Sequence, residues 1–111
     1  MAVSIPEYLV GDEFADFDRL INERVRLGIL SVLAVNSSAS FSELKGILDT
    51  TDGNLSAHAR RLEDAGLVDC RKTFKGRKPH TEYHLTAKGR SSLERYLTQM
   101  ETLIAAMRNE Q

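Results

Sequence analysis

Within 111 residues there is a single cysteine, Cys70, so no disulfide can close inside the chain, a composition that suits a reducing cytoplasm. The opening stretch "MAVSIPEYLVGDEF" lacks a basic segment followed by a long apolar one, and no secretory signal is expected there. The apolar run around Ile29 to Val35 is too short to span a bilayer, which argues against a membrane partner. Internal repeats and low-complexity tracts are missing as well. So is any phosphate-cradling glycine loop, since "GRKP" inside a hairpin is no such motif. Ser56 and His58 stand two apart, and on a helix they point to different faces, so they cannot act as nucleophile and base. No catalytic constellation, cofactor or complete metal site is expected. A surplus of charge of either sign is also lacking, with 15 Lys+Arg against 16 Asp+Glu and a formal net charge of -1. Bulk charge is therefore silent about a polyanionic partner.

The length and the 41% hydrophobic content fit one compact domain with a single core. Charge is distributed unevenly along it. Up to Glu23 the acids are Glu7, Asp12, Glu13, Asp16, Asp18 and Glu23, opposed only by Arg19, so residues 1–13 form an acidic N-terminal arm. From Arg71 to Lys78 come Arg71, Lys72, Lys75, Arg77 and Lys78 with no carboxylate among them.

Periodicity predicts a first helix from about Phe14 or Asn22 to Val35, in which Val25, Ile29 and Val32 share a face that Leu30 and Leu33 broaden. "NSSAS" then reads as a loop. A second helix is expected over "SELKGILD", with Ser42 as N-cap and Leu44, Ile47 and Leu48 turned to the core. After the "TTDG" break a third helix runs to Ala65, where Gly66 is placed to take the left-handed conformation that ends it. Leu67 to Thr73 and Thr81 to Leu85 are strand-like, and "FKGRKPH" between them carries the turn formers Gly76 and Pro79, giving a β-hairpin with a basic tip. Thr86 caps a last helix in which Leu93, Leu97, Met100, Ile104 and Met107 recur at spacings 4, 3, 4, 3. A heptad seam of that kind asks for another helix.

Helix, helix, helix, hairpin, helix is the order of a winged helix-turn-helix. The chain resembles the MarR/ArsR-like winged-helix transcriptional regulators, especially a small bacterial and archaeal group with a "TDGNLS.H...LE.AG.V" core and a "F.GR.P.T.Y.LT..GR" wing. The matching segments here are "TDGNLSAHARRLEDAGLV" and "FKGRKPHTEYHLTAKGR", and the likeness extends over about Leu20 to Leu97. It implies a mainly α fold with a small β-hairpin (α+β), with a winged helix-turn-helix over 14–90 and a C-terminal dimerisation helix over 91–111 in the same structural unit. It also implies a cytoplasmic, homodimeric regulator of transcription, a repressor, that binds double-stranded DNA.

Helical geometry arrives at the same surface. At about 100° per residue, Leu55, Ala59 and Leu62 define the core side of the third helix, while Gly53, Ala57, Arg60, Arg61 and Asp64 fall opposite, with Asn54 and Ser56 on the flanks. Small polar residues at a helix N-terminus permit close approach to a groove, and the free amides there favour phosphate. The expected recognition set is Thr51, Asp52, Gly53, Asn54, Ser56, Ala57, Arg60 and Arg61 on the helix 52–65, with Asn54 and Ser56 reaching base edges and the arginines reaching phosphate. On the wing, 71–84, the expected contacts are Lys72, Lys75, Arg77 and Lys78, directed to a flanking minor groove or backbone. The expected dimer contacts are Leu93, Leu97, Met100, Ile104 and Met107. His58 is assigned to packing or a local hydrogen bond.

Two other functions compete with this one. A winged helix can serve as a protein-interaction or assembly module, through the acidic arm or the last helix. Alternatively, a metal- or thiol-sensing repressor would draw on Cys70, His80 and His84, if the hairpin brings Cys70 across from His84.

Overall fold

The computed structural model describes residues 19–109; the acidic arm and the Phe14 start considered for the first helix lie outside them. Helix α1 spans Arg24–Asn36, β1 Ser38–Ser40, α2 Phe41–Leu48, α3 Asp52–Asp64, β2 Val68–Lys75, β3 Lys78–Leu85 and α4 Ala87–Asn109. Glu23 caps α1, its carboxylate accepting the Arg26 N–H at 2.8 Å, and this cap separates α1 from the helical residues 19–21. Val25, Ile29, Leu30 and Leu33 are buried along α1, whereas Val32 is half-buried.

The stretch expected as a loop, "NSSAS", contains β1. Ser38–Ser40 pairs antiparallel with β3 in the register Ser38↔His84, Ala39↔Tyr83 and Ser40↔Glu82, so the sheet order is β1-β3-β2. Three small residues carry no strand signal of their own. They become a strand because β3 presents an unpaired edge and Ala39 can turn inward.

Helix α2 is capped by Ser40, two residues before the expected Ser42. Ser40 Oγ accepts the Glu43 N–H at 3.1 Å while Glu43 accepts the Ser40 N–H at 3.0 Å, a reciprocal pair that Ser42 could not form because Lys45 stands three residues on. Leu44 is buried and Leu48 half-buried as expected, but Ile47 is 61% exposed. The inward stripe runs through Phe41, Leu44 and Leu48, and Ile47 falls roughly a quarter-turn outside it.

Ile21, the α1 stripe, Leu44, Leu55, Ala59, Leu62, Leu67, Val68, Tyr83, Leu93 and Tyr96 form one contiguous core. Each fully buried leucine, isoleucine or valine contributes about 1.5–3 kcal/mol relative to exposure. Helix α4 is stitched to the rest at its start. Thr86 Oγ1 accepts the Gly89 N–H at 2.9 Å, the expected cap, and donates to Gly66 O at 2.7 Å. Gly89 lies so close to the chain entering β2 that a Cβ there would sit 2.0 Å from Leu67 O.

Candidate nucleic-acid interface

Helix α3 begins where Asp49, with φ 48°, turns the chain out of α2, and Thr51 caps it by accepting the Asn54 N–H at 3.2 Å. Its inner face is Leu55, Ala59 and Leu62, each at most 1% exposed. Ala65 and then Gly66, with φ 78°, close it as expected. Burial of that one face leaves Thr51, Asp52, Gly53, Asn54, Ser56, Ala57, Arg60 and Arg61 exposed. Within this set Asn54 is preset. Its Nδ2 donates to Thr50 Oγ1 at 2.7 Å, which leaves one amide hydrogen and the amide oxygen free to meet a base edge. The Asp52 carboxylate is held 2.9 Å from Lys45 Nζ of α2, so the acid nearest the helix tip is neutralised by its own domain.

Residues that sequence reasoning passed over fix the pose of α3. Arg26 of α1 is 5% exposed and donates from Nη1 to His58 Nδ1 at 2.8 Å, from Nη2 to Arg19 O at 2.9 Å and from Nε to Leu20 O. A guanidinium can only donate, so His58 Nδ1 is the acceptor and its hydrogen sits on Nε2, 3.5 Å from the Glu23 carboxylate. This matches the packing role expected of His58. At the other end Lys88 Nζ donates to Ala65 O at 2.9 Å, satisfying a carbonyl at the C-terminus of α3. One available signal was Arg26 itself, a charged residue three before Ile29 and therefore on the apolar stripe.

Strands β2 and β3 pair from Val68↔Leu85 to Lys75↔Lys78, leaving a two-residue turn, Gly76-Arg77, in place of the longer "FKGRKPH" loop. Gly76 has φ 64°, the conformation that the first central residue of a type II′ hairpin turn requires. Every residue from Arg71 to Pro79 is exposed, so the outer hairpin is an arm about 16 Å long clear of the core. Lys72, Lys75, Arg77 and Lys78 all lie on it, and no ion pair among the described residues involves any of them.

The register corrects one expectation about the hairpin: Cys70 faces Tyr83, and it is Asp69 that stands across from His84. The short turn shifts the pairing by one residue, which moves Cys70 to the core side. There it pairs with the buried Tyr83 phenol, whose pKa rises to about 12, mainly through burial and then through Cys70. On the opposite face His84 Nε2 and His80 Nε2 donate to the two oxygens of Glu82 at 2.7 and 3.5 Å, and these bonds hold the Glu82 carboxyl below the usual range. Among the described residues no group of three His, Cys, Asp or Glu is arranged to hold a metal ion.

The five seam residues of α4 divide. Leu93 is 4% exposed and belongs to the core of its own domain, with Met100 packed partly against it, so neither stands free in the way the heptad reading expected. Leu97, Ile104 and Met107 are 45%, 46% and 63% exposed. No helix among the described residues is long and apolar enough to cross a membrane.

A family model described as a winged helix DNA-binding domain matches residues 25–104. The chain belongs to the winged helix DNA-binding domain family. An uncharacterized protein of Methanocaldococcus jannaschii is 34% identical over 79 residues, which are 71% of this chain and 86% of that protein. The structure of a transcriptional regulator homologue from Pyrococcus horikoshii superposes with a TM-score of 0.78 at 32% identity, covering 87% of this chain and 98% of the other. A candidate MarR-family regulator of Enterococcus faecalis shares the fold, with a TM-score of 0.73 at 22% identity over 98% of this chain and 94% of that one. This winged helix protein is a DNA-binding regulator, mainly helical with a three-stranded antiparallel sheet.

Proposed function

We propose that two copies of this chain bind one pseudo-palindromic site on double-stranded DNA and repress transcription by occupying a promoter. The observation that carries this reading is the division of α3 into a fully buried face and a small, polar, exposed tip with Asn54 already oriented, beside an arm of unpaired cations. In this reading the first turn of α3 enters the major groove, where the Asn54 amide suits the adenine edge, donating to N7 and accepting from N6. Gly53, Ser56 and Ala57 allow close approach. Thr51, Arg60 and Arg61 meet phosphates on either side, and Asp52 stays with Lys45. Lys72, Lys75, Arg77 and Lys78 follow the flanking backbone and minor groove.

Dimerisation is supported by the exposed part of the α4 seam, Leu97, Ile104 and Met107, which continues past the residues its own core uses. Two-fold symmetry then asks for half-sites about one helical turn apart. The test is a footprint of the purified protein on its own upstream promoter fragment, with a scrambled duplex as control, joined to the mass in solution. Paired protections about one turn apart, a dimer mass, and loss of both in Ile104→Glu are expected. A monomer that protects nothing would count against the whole reading. A dimer that ignores both duplexes would favour the assembly-module function instead.

A further inference from the structure

Among the described residues the exposed large hydrophobics are Val35, Ile47, Phe74, Leu97, Ile104 and Met107, and of these Phe74 alone is aromatic and alone lies on the wing. It is 71% exposed. Its cross-strand partner is Pro79, one step from the Lys75↔Lys78 pair that closes the turn. A two-residue turn closes on a hydrogen-bonded pair, so Phe74↔Pro79 is the next, non-hydrogen-bonded pair. Side chains come nearest there, and the missing N–H of proline costs no ladder bond. The result is an apolar tip on an arm that also carries Lys72, Lys75, Arg77 and Lys78 beside the Thr73↔His80 pair, with no acid between Arg71 and Thr81. Cations on every side suit a polyanion, and a polyanion that also offers an apolar contact is duplex DNA at the floor of its minor groove.

We propose that Phe74, backed by Pro79, is the apolar contact by which the wing enters the minor groove beside the α3 site, and that it selects flanks by what that groove presents. The proposal rests on the DNA-binding reading above. A phenyl ring neither donates nor accepts a hydrogen bond, so it cannot read base edges directly. It does discriminate by exclusion, because a G·C pair places the guanine 2-amino donor in the minor groove, where contact with the ring strips it of water without replacing the bond. An A·T pair presents no such donor. Pyrimidine-purine TA steps also unstack easily, which lowers the cost of admitting a wedge. Phe74 therefore adds preference for TA-containing flanks, separate from the sequence read by α3.

The test holds the α3 site fixed and varies only the flank under the wing, as TATA, GCGC or ICIC, because inosine pairs like guanine but lacks the 2-amino group. Wild type, Phe74→Ala, Phe74→Leu and Arg77→Ala are titrated on each duplex at several salt concentrations. Wild type is expected to prefer TATA over GCGC on the order of tenfold, with ICIC recovering most of the loss. Phe74→Ala should erase the preference and leave the salt dependence unchanged, because no charge is removed; Phe74→Leu should keep part of it. Arg77→Ala should weaken all three duplexes and lower the salt slope by about one.

If Phe74→Ala binds every flank as wild type does, the proposal is overturned while DNA binding stands. Uniform weakening on all three flanks with a lowered melting temperature would make Phe74 a stiffener of the hairpin, and loss of self-association would place it in a protein interface; either result also overturns it. If wild type binds no duplex at all, the DNA-binding reading itself fails and takes this inference with it.

Discussion

Helix α3 and the wing, the two parts of this domain that the proposed function offers to DNA, are built in opposite ways. The helix is fixed from three sides: by Leu55, Ala59 and Leu62 beneath it, by Arg26 through His58, and by Lys88 on the Ala65 carbonyl at its end. The outer wing is held by little more than its own ladder, with every residue from Arg71 to Pro79 exposed. Reading bases demands positions fixed to a few tenths of an ångström, whereas gripping a backbone of repeating phosphates tolerates movement. The difference in anchoring matches that division of labour.

Truncation should expose this contrast most visibly. Leu62→Ala removes a fully buried side chain and is expected to cost about 2–5 kcal/mol in chemical denaturation, while Phe74→Ala should change stability by less than about 1 kcal/mol. Comparable costs would mean that the wing is part of the cooperative core. Next in size, Arg26→Ala removes the donor to His58 Nδ1 and to the Arg19 and Leu20 carbonyls. We expect a loss of about 1–3 kcal/mol, together with reduced preference for operator over scrambled DNA; unchanged preference would show that α3 keeps its pose without that tie. Thr51→Ala removes the α3 cap and should cost about 1 kcal/mol, visible as earlier amide exchange in the first turn.

The smallest effect concerns acid. The Glu82 carboxyl sits below the ordinary glutamate range because His84 first, and then His80, hold it ionised. Its contribution is therefore present above the unfolded value and lost as the pH falls through the lowered one. Wild type should lose slightly more stability than Glu82→Gln when melting temperature is followed below about pH 4, and parallel curves would remove this contribution from the account.

Legibility in the sequence follows the same anchoring contrast. The α3 stripe, its end at Gly66 and the Thr86 cap were readable because each rests on local chemistry: a 3, 4 spacing, a left-handed glycine, a hydroxyl three residues before an amide. Strand β1 was not readable, because Ser38–Ser40 pairs only with residues more than forty positions away. The hairpin is legible, but its turn is shorter than the spread of turn formers suggests. Gly76 and Pro79 look alike as turn formers, yet Pro79 sits within β3 at a pair that needs no N–H. The seam of α4 looked uniform because spacing cannot say that Leu93 already belongs to its own core. For the site, exposure of the recognition residues followed from the helix face, while Lys45 on Asp52 and Arg26 on His58 depend on how α1 and α2 cross α3.

The proposed function divides the work: α3 reads the operator sequence and the cations of the wing grip backbone, with Phe74 adding a preference only at the flank. It is tested most directly by salt-titrated binding of wild type, Asn54→Ala and Arg77→Ala to the promoter fragment and to a scrambled duplex. Asn54→Ala should lose about 1–3 kcal/mol of preference for the promoter while keeping the wild-type salt slope. Arg77→Ala should weaken both duplexes alike and lower that slope by about one. If Asn54→Ala weakens both duplexes equally, or Arg77→Ala removes the preference, the assignment of reading to the helix and grip to the wing is contradicted.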